Sequence, residues 1–223
     1  MNKGIVYYTD NVPHEKFLKI IRERLKMSAG DIPIIWVSQK SIDEKDNIIM
    51  PIKRCHESRT RQIFEGLQQI NTKYIFFAEH DVIYHPSHFA FTPPSDELFY
   101  YNQNRWWLRE GDGAAVFAGN AISLSQLVAD RTLLLKWYNR RVIYYTMEIK
   151  TDCGTEPGKH KSSLLLENGM ATFMSEWPNV DIRHKYNYTK SDKFKKNLED
   201  EIPFWGKTRG RYREFLKGIN ERV

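Results

Sequence analysis

The residues best suited to chemistry follow an apolar run. YIFFA (74–78) leads directly into Glu79, His80 and Asp81, with His85 and His88 a few positions on. A desolvated carboxylate is costly unless it is paired or bound to a cation, so a buried strand with this ending needs a partner there. On an extended backbone Glu79 and Asp81 point to the same side. Two oxygen donors on one side suit a hard divalent cation that keeps some of its water and shares a phosphate. The alternative use of the two carboxylates is to cap the next element or to pair with arginines. A metallohydrolase set of His80, Asp81, His85 and His88 fits less well, because consecutive strand residues 80 and 81 point to opposite faces.

Such groups need elements to hold them. GIVYYT (4–9), IPIIWVS (32–38) and YIFFA have the apolar continuity of strands covered on both faces. PHEKFLKIIRERLK (13–26) has helical spacing, with Pro13 expected in the first turn. SRTRQIFEGLQQI (58–70) puts Ile63, Leu67 and Ile70 on one side of a second helix. Further along, FYY and RWWL suggest short strands around a turn, SQLVADRTLLLKWY (125–138) a helix, and NVDIRH (179–184) a strand. Strands alternating with helices predict an α/β fold with a mostly parallel central sheet. In open sheets of that kind ligands sit outside the carboxyl ends of the strands, where Glu79 and Asp81 stand.

Composition sets the frame. The 223 residues, 41% hydrophobic and 13% aromatic, suit one sizeable domain with an appended tail, divided here as 1–182 and 183–223. The net charge of +6 belongs to the tail, which holds 12 basic and 6 acidic side chains and leaves 22 of each before it. KFKK (193–196) and KTRGRYR (207–213), interleaved with Tyr186, Tyr188, Trp205 and Tyr212, could lie against phosphates, with Arg209, Arg211, Arg213 and Trp205 as contacts. A solvated face on a terminal helix is the other use of such a segment. A non-catalytic nucleic-acid-binding protein would account for the tail and leave the EHD ending unexplained. Cys55 and Cys153 form no CxxC pair, which fits a reducing, cytoplasmic setting. The apolar runs are far shorter than a membrane span, and MNKGIVYYTD lacks a secretory pattern. No GxxxxGK[ST], dinucleotide fingerprint or GxSxG occurs.

The segment ESRTRQIFEGLQQINTKYIFFAEHD (57–81) resembles the GT-A-fold glycosyltransferases, in its helix, buried strand and acidic triplet in that order. The likeness is to family-2-type members, phage enzymes included, and extends over about residues 4 to 185. EHD departs from the family's DxD motif by its leading Glu. The resemblance implies a single Rossmann-like domain, to which the charge count adds a basic C-terminal extension, and a hexosyltransferase using a UDP-sugar with Mn²⁺ or Mg²⁺. By the same resemblance Asp81 is a direct metal ligand, and Glu79 lies near the ribose and a metal-bound water. Thr9, Asp10 and Asn11 then border the base and ribose, and Arg59, Arg61 and Gln62 the nucleotide.

His184 matches the family's late histidine ligand, an acceptable one for Mn²⁺. Glu156, ahead of Pro-Gly and an apolar run, is the expected base, with Asp152 in reserve and Asp112 a third candidate; capping of a helix is the other use of Glu156. His85 and His88 are expected in a loop or on the acceptor side. The acceptor implied for a cytoplasmic or phage-encoded member with a basic tail is a hydroxymethylated DNA base. A cell-surface glycan precursor or a protein hydroxyl is the alternative.

Overall fold

The computed structural model describes residues 2–149, 156–159, 169–187, 194 and 197–222. In chain order the first half holds β1 (Lys3–Thr9), α1 (Glu15–Ala29), β2 (Ile34–Ser38), β3 (Ile48–Ile49), α2 (His56–Gln69), β4 (Tyr74–Glu79), β5 (Val82–Ile83) and α3 (Pro86–Ala90). The second half adds β6 (Phe99–Asn102), β7 (Arg105–Arg109), β8 (Ala115–Phe117), β9 (Leu127–Asp130), α4 (Arg131–Thr146), β10 (Met170–Phe173), β11 (Asn179–Arg183), β12 (Glu201–Ile202), β13 (Gly206–Lys207) and α5 (Tyr212–Gly218). The central sheet has the order β10-β6-β9-β4-β1-β2-β3, in which β9 runs against both its neighbours and the other pairs are parallel. This is the expected mixed α/β class with a mostly parallel sheet. A second sheet, β5-β11-β7-β8, stands beside it.

The strand period of two builds both faces of the central sheet. Val6, Tyr8, Ile75 and Phe77 pack with Ile63 and Leu67 of α2 and with Leu134, Trp137 and Tyr138 of α4. Ile5, Tyr7, Phe76 and Ala78 pack on the opposite side with Leu25 and Ala29 of α1 and Phe89 of α3. Doubly covered strands are continuous apolar runs for this reason. Gly66 lets α2 approach β1, since a Cβ there would lie 2.5 Å from Val6 Cγ1.

Two local expectations are corrected. Pro13 precedes α1 instead of entering its first turn, because the His14 ring caps the helix by accepting from the Lys16 N–H at 3.2 Å. SQLVADRTLLLKWY is not one helix: LVAD forms β9, and Asp130 Oδ1 caps α4 by accepting from the N–H groups of Thr132 (2.8 Å) and Leu133 (3.2 Å). An apolar run preceding a strong N-cap residue fits a strand as well as a helix, and here the cap decides. FYY and RWWL are short strands on either side of residues 103–104, as expected, and they belong to different sheets: β6 joins β9 and β10, while β7 joins β11 and β8.

The basic segment shares the protein's core. Trp205, Tyr212, Phe215 and Ile219 are buried with Ile21, Ile83, Leu108, Val180 and Ile182. Trp205 is fully covered, donates from its Nε1 to Pro178 O at 2.7 Å and has the Arg24 guanidinium 4.9 Å from its ring. It is therefore a packing residue and not the acceptor contact expected of it, and truncation to Ala would cost about 3–5 kcal/mol. Arg209, Arg211 and Arg213 are exposed. β11 runs across residue 182, so the two parts divided there in the sequence share a strand.

Candidate active site

The carboxyl ends of β1, β2 and β4 open into a cleft of about 830 Å³, counted to its solvent-facing mouth. Thr9, Asp10, Arg59, Gln62, Glu79, Asp81, Glu156 and His184 all line it. The wall from β1 and α2 is held by short-range bonding. Gln62 Nε2 donates to Thr9 O at 2.9 Å, and Thr9 Oγ1 accepts from the Asn11 N–H at 3.0 Å. Asn11 stands behind the wall at φ 54°, where its Oδ1 accepts from the N–H groups of Gln39 (2.9 Å) and Lys40 (3.0 Å). Asn and Asp tolerate that left-handed backbone best among residues with side chains. Arg54 reaches across, pairing its Nε with Asp10 Oδ2 at 2.5 Å and donating from Nη2 to Tyr186 O at 2.5 Å.

α2 starts in the cleft wall. Cys55 is its N-cap, accepting at Sγ from the Ser58 N–H at 3.4 Å, while Ser58 Oγ accepts from the Cys55 N–H at 2.8 Å. This reciprocal cap aims the positive end of the helix macrodipole toward the cleft.

At the end of β4 the backbone turns. Residues 80 and 81 form a tight turn between β4 and β5, so strand alternation stops after Glu79. Two expectations change in consequence. Glu79 does not join Asp81 at a common point; its Oε1 accepts from Tyr8 OH at 2.7 Å instead. His80 does join, and donor atoms of His80, Asp81 and His184 lie within 4.8 Å of one another. The four-residue set His80, Asp81, His85 and His88 does not assemble: His85 packs edge-on against Phe204 at 4.3 Å, and His88 is fully buried, hydrogen-bonded to Asn102.

The two carboxylates are driven apart. Burial, with the charge of Asp81 beside it, pushes Glu79 up to about 7. Burial would raise Asp81 too, but His80, His184 and Arg183 outweigh it and hold Asp81 at about 2. Asp81 Oδ2 accepts from Asn187 Nδ2 at 2.6 Å and lies 3.4 Å from His184 Nε2. That nitrogen is buried and lacks an aligned hydrogen bond among the described residues. A donor set of two imidazoles and one carboxylate, with one imidazole nitrogen unsatisfied, fits a divalent cation, and it favours Mn²⁺ over the oxygen-seeking Mg²⁺. His184 Nδ1 now accepts from the Tyr186 N–H at 3.2 Å. Ligation through Nε2 requires the ring proton at Nδ1, so it would break that contact.

The remaining sequence candidates separate. Glu156 sits on a turn pinned to β6, where Tyr101 OH donates to Pro157 O at 2.7 Å and Gly158 takes a φ of 76°. Arg61 faces α4, pairing with Glu57 at 2.8 Å and donating to Thr146 Oγ1 at 3.2 Å, and does not line the cleft. Asp112 lies on a surface turn, held at about 2 by hydrogen bonds from Arg109, with Arg209 4.0 Å away. That removes it from the donor region. Asp152 falls outside the described residues.

The sequence reading did not single out Arg54, Cys55, Ser58, Asp181, Arg183 or Asn187, which also line the cleft. Asp181, 4% exposed, lies in β11 between Arg183 Nη1 (3.3 Å) and Arg105 Nη1 (3.7 Å). Burial raises its pKa and the neighbouring Arg183 opposes the rise.

No protein-family model and no curated protein matches this chain. Solved structures do. The inositol-1-phosphate CTP transferase from T. maritima covers 100% of this chain and 98% of its own, at 10% identity and TM-score 0.51. A glycosyltransferase involved in glycosylation of the major capsid of PBCV-1 covers 68% of this chain and 69% of its own, at 11% identity and TM-score 0.43. A Drosophila galactosyltransferase solved with manganese, UDP-Gal and xylobiose covers 70% and 68%, at 10% identity and TM-score 0.40. At 10% identity the likeness to the CTP transferase is one of fold alone, a mixed α/β fold. Among the described residues no helix is long and apolar enough to cross a membrane.

Proposed function

We propose that this protein is a metal-dependent glycosyltransferase that moves a hexosyl group from a UDP-sugar to a hydroxyl acceptor. One observation carries the reading: His80, Asp81 and His184 converge in the same cleft as the polar wall from β1 and α2. The wall offers Thr9, Asp10, Arg54 and Arg59 to a nucleoside and its phosphates, with Gln62 bracing it. His80, Asp81 and His184 would hold Mn²⁺, which when bound neutralises charge growing on the leaving diphosphate. Glu79, kept off the cation by Tyr8, borders the ribose side. Glu156 accepts the proton of the acceptor hydroxyl in this reading, as general-base catalysis requires of a carboxylate within reach.

For the acceptor, the exposed Arg209, Arg211 and Arg213 support a polyanion carrying a hydroxyl, such as a hydroxymethylated DNA base. The burial of Trp205 and Tyr212 leaves that contact to charge rather than stacking. DNA binding that falls steeply with salt, with a slope flattened by replacing the three arginines with Ala, is the expected result; salt-insensitive binding sinks the polyanion.

Nucleotidyl transfer is the second reading, favoured by the full-length fold match to a CTP transferase. Thermal-shift screening of nucleoside diphosphates, their sugars and nucleoside triphosphates, with and without Mn²⁺, tests the site, because a ligand that binds only the folded state raises its stability. Manganese-dependent stabilisation by UDP and UDP-sugars is expected. Stabilisation by CTP alone, with pyrophosphate as the released product, would replace glycosyl by nucleotidyl transfer.

A further inference from the structure

Asp181 has no task in the chemistry above. Its carboxylate is buried and lines the cleft, yet among the described residues it takes only one side-chain hydrogen bond, from Arg183 at 3.3 Å. Arg105 stands 3.7 Å away, outside hydrogen-bond range. A carboxylate offers about four lone-pair sites, and those that Arg183 does not take open onto the cleft that Asp181 lines. Nor does Asp181 hold up the fold by packing: Val180 and Ile182, its neighbours in β11, supply the strand's core face.

The position of Asp181 within the cleft bears on its role. Nucleoside-facing groups come from β1 and α2, and the metal-binding triad lies between them and β11. Asp181, Arg183 and Ser123 line the cleft as well, and Arg183 runs directly into His184 of the triad. Arg105 Nη2 donates to Ala121 O at 2.9 Å, tying the Ser123 segment to the same corner. A diphosphate bridging the triad with its nucleoside toward α2 would direct its glycosyl group toward this corner.

We infer that Asp181 accepts hydrogen bonds from the hydroxyl groups of the transferred sugar, and that the sugar is a neutral hexose rather than a uronic acid. The inference rests on the proposed glycosyltransferase reading. Ring hydroxyls are donors for those open lone pairs, whereas a uronate carboxylate would add a third negative charge to a corner where Asp181 and Asp81 already balance Arg105 and Arg183.

The test compares the affinities of UDP, UDP-glucose, UDP-galactose and UDP-glucuronate in the presence of Mn²⁺, for the wild type and for Asp181→Asn. In the wild type at least one neutral sugar should bind more tightly than UDP, and the glucuronate should not. Asp181→Asn should lose the sugar's increment, about 10- to 100-fold for a hydrogen bond to a charged acceptor, with UDP affinity unchanged. A merely structural Asp181 would weaken UDP and its sugars alike, or leave their ratio untouched, and either result overturns the inference. So does a wild type that binds UDP-glucuronate as tightly as the neutral sugars, a comparison that stands even if the variant does not fold. Absence of stabilisation by any nucleoside diphosphate overturns the proposed function itself. Preference for another diphosphate moves the comparison to its own glucose and glucuronate conjugates.

Discussion

Asn187→Asp should tighten cation binding while weakening the metal-free protein. In the wild type Asn187 bridges two parts of the site: Nδ2 donates to Asp81 Oδ2 at 2.6 Å, and Oδ1 accepts from the His184 N–H at 2.5 Å. The isosteric Asp keeps the acceptor for His184 and replaces the donor with a second carboxylate against the first. A hydrogen bond to a charged group is worth about 1.5–3 kcal/mol, so the metal-free variant loses at least that much. For a chain of this size the loss corresponds to a fall in Tm of roughly 3–12 °C. A cation at Asp81 would take the lone pair that the amide now uses, so the wild type must surrender this bond on binding and the variant need not. The same free energy therefore reappears as a gain of about 10- to 100-fold in affinity for Mn²⁺.

Calorimetric titration of Mn²⁺ at neutral pH, where Asp81 is ionised, measures the affinity. Melting with and without Mn²⁺ measures the other side of the linkage. A lower Tm in the metal-free variant with unchanged or weaker Mn²⁺ binding would refute a cation at Asp81, since the carboxylates would then repel with nothing to bridge them.

Three other outcomes are expected. Asp81→Asn should abolish both Mn²⁺-dependent turnover and stabilisation by Mn²⁺ with the fold retained, and full activity in EDTA would remove the cation from the mechanism. Glu156→Gln should bind the donor normally and lose kcat by roughly 10²–10⁴, as expected for loss of a general base; near-normal kcat reassigns the proton. His88 is pushed by burial to about 3, whereas the unfolded chain titrates it near 6.5. The folded ring stays neutral where the unfolded one charges, so stability falls as pH drops from about 6.5 toward 3, by about 1.4 kcal/mol per pH unit for this one proton. Urea midpoints in a pH series should therefore decline less steeply for His88→Phe, and an unchanged slope would mean the ring is already charged in its core.

The elements that place the site were legible where covering on both faces made the sequence continuous and apolar, as in GIVYYT, IIWVS and YIFFA. The carboxyl end of β4 was legible too, because a charged triplet after such a run has no packing use. His80 was set aside as a partner of Asp81 because the strand period was carried two residues too far, through a turn that contains neither Gly nor Pro. Asp181 was missed for a different reason. In NVDIR, Val180 and Ile182 alternate with Asn179, Asp181 and Arg183, the pattern of a strand with one face in water. Alternation reports that one face is polar, and it cannot distinguish bulk water from a polar cleft. Trp205 failed in the opposite direction: a tryptophan among lysines and arginines has the composition of a phosphate-binding tail, yet its indole is buried with Ile83, Leu108 and Val180.

The register of the second sheet explains why this particular trio converges. β5 and β11 are antiparallel with Val82 opposite Asp181 and Ile83 opposite Val180. One step back along β5 sets Asp81 against Ile182, whose N–H donates to Asp81 O at 2.8 Å. A further step sets His80 toward Arg183 and the His184 that follows it. Glu79 is already committed to β4, where it lies opposite Tyr8 of β1 and takes that residue's hydroxyl. The boundary between the His80–Asp81–His184 cluster and the Tyr8–Glu79 pair therefore falls between residues 79 and 80, at the point where the chain leaves one sheet for the other. A one-residue insertion in the 80–81 turn should accordingly cost Mn²⁺ binding while sparing the Tyr8–Glu79 contact, since it shifts His80 and Asp81 against β11 and leaves β4 in place.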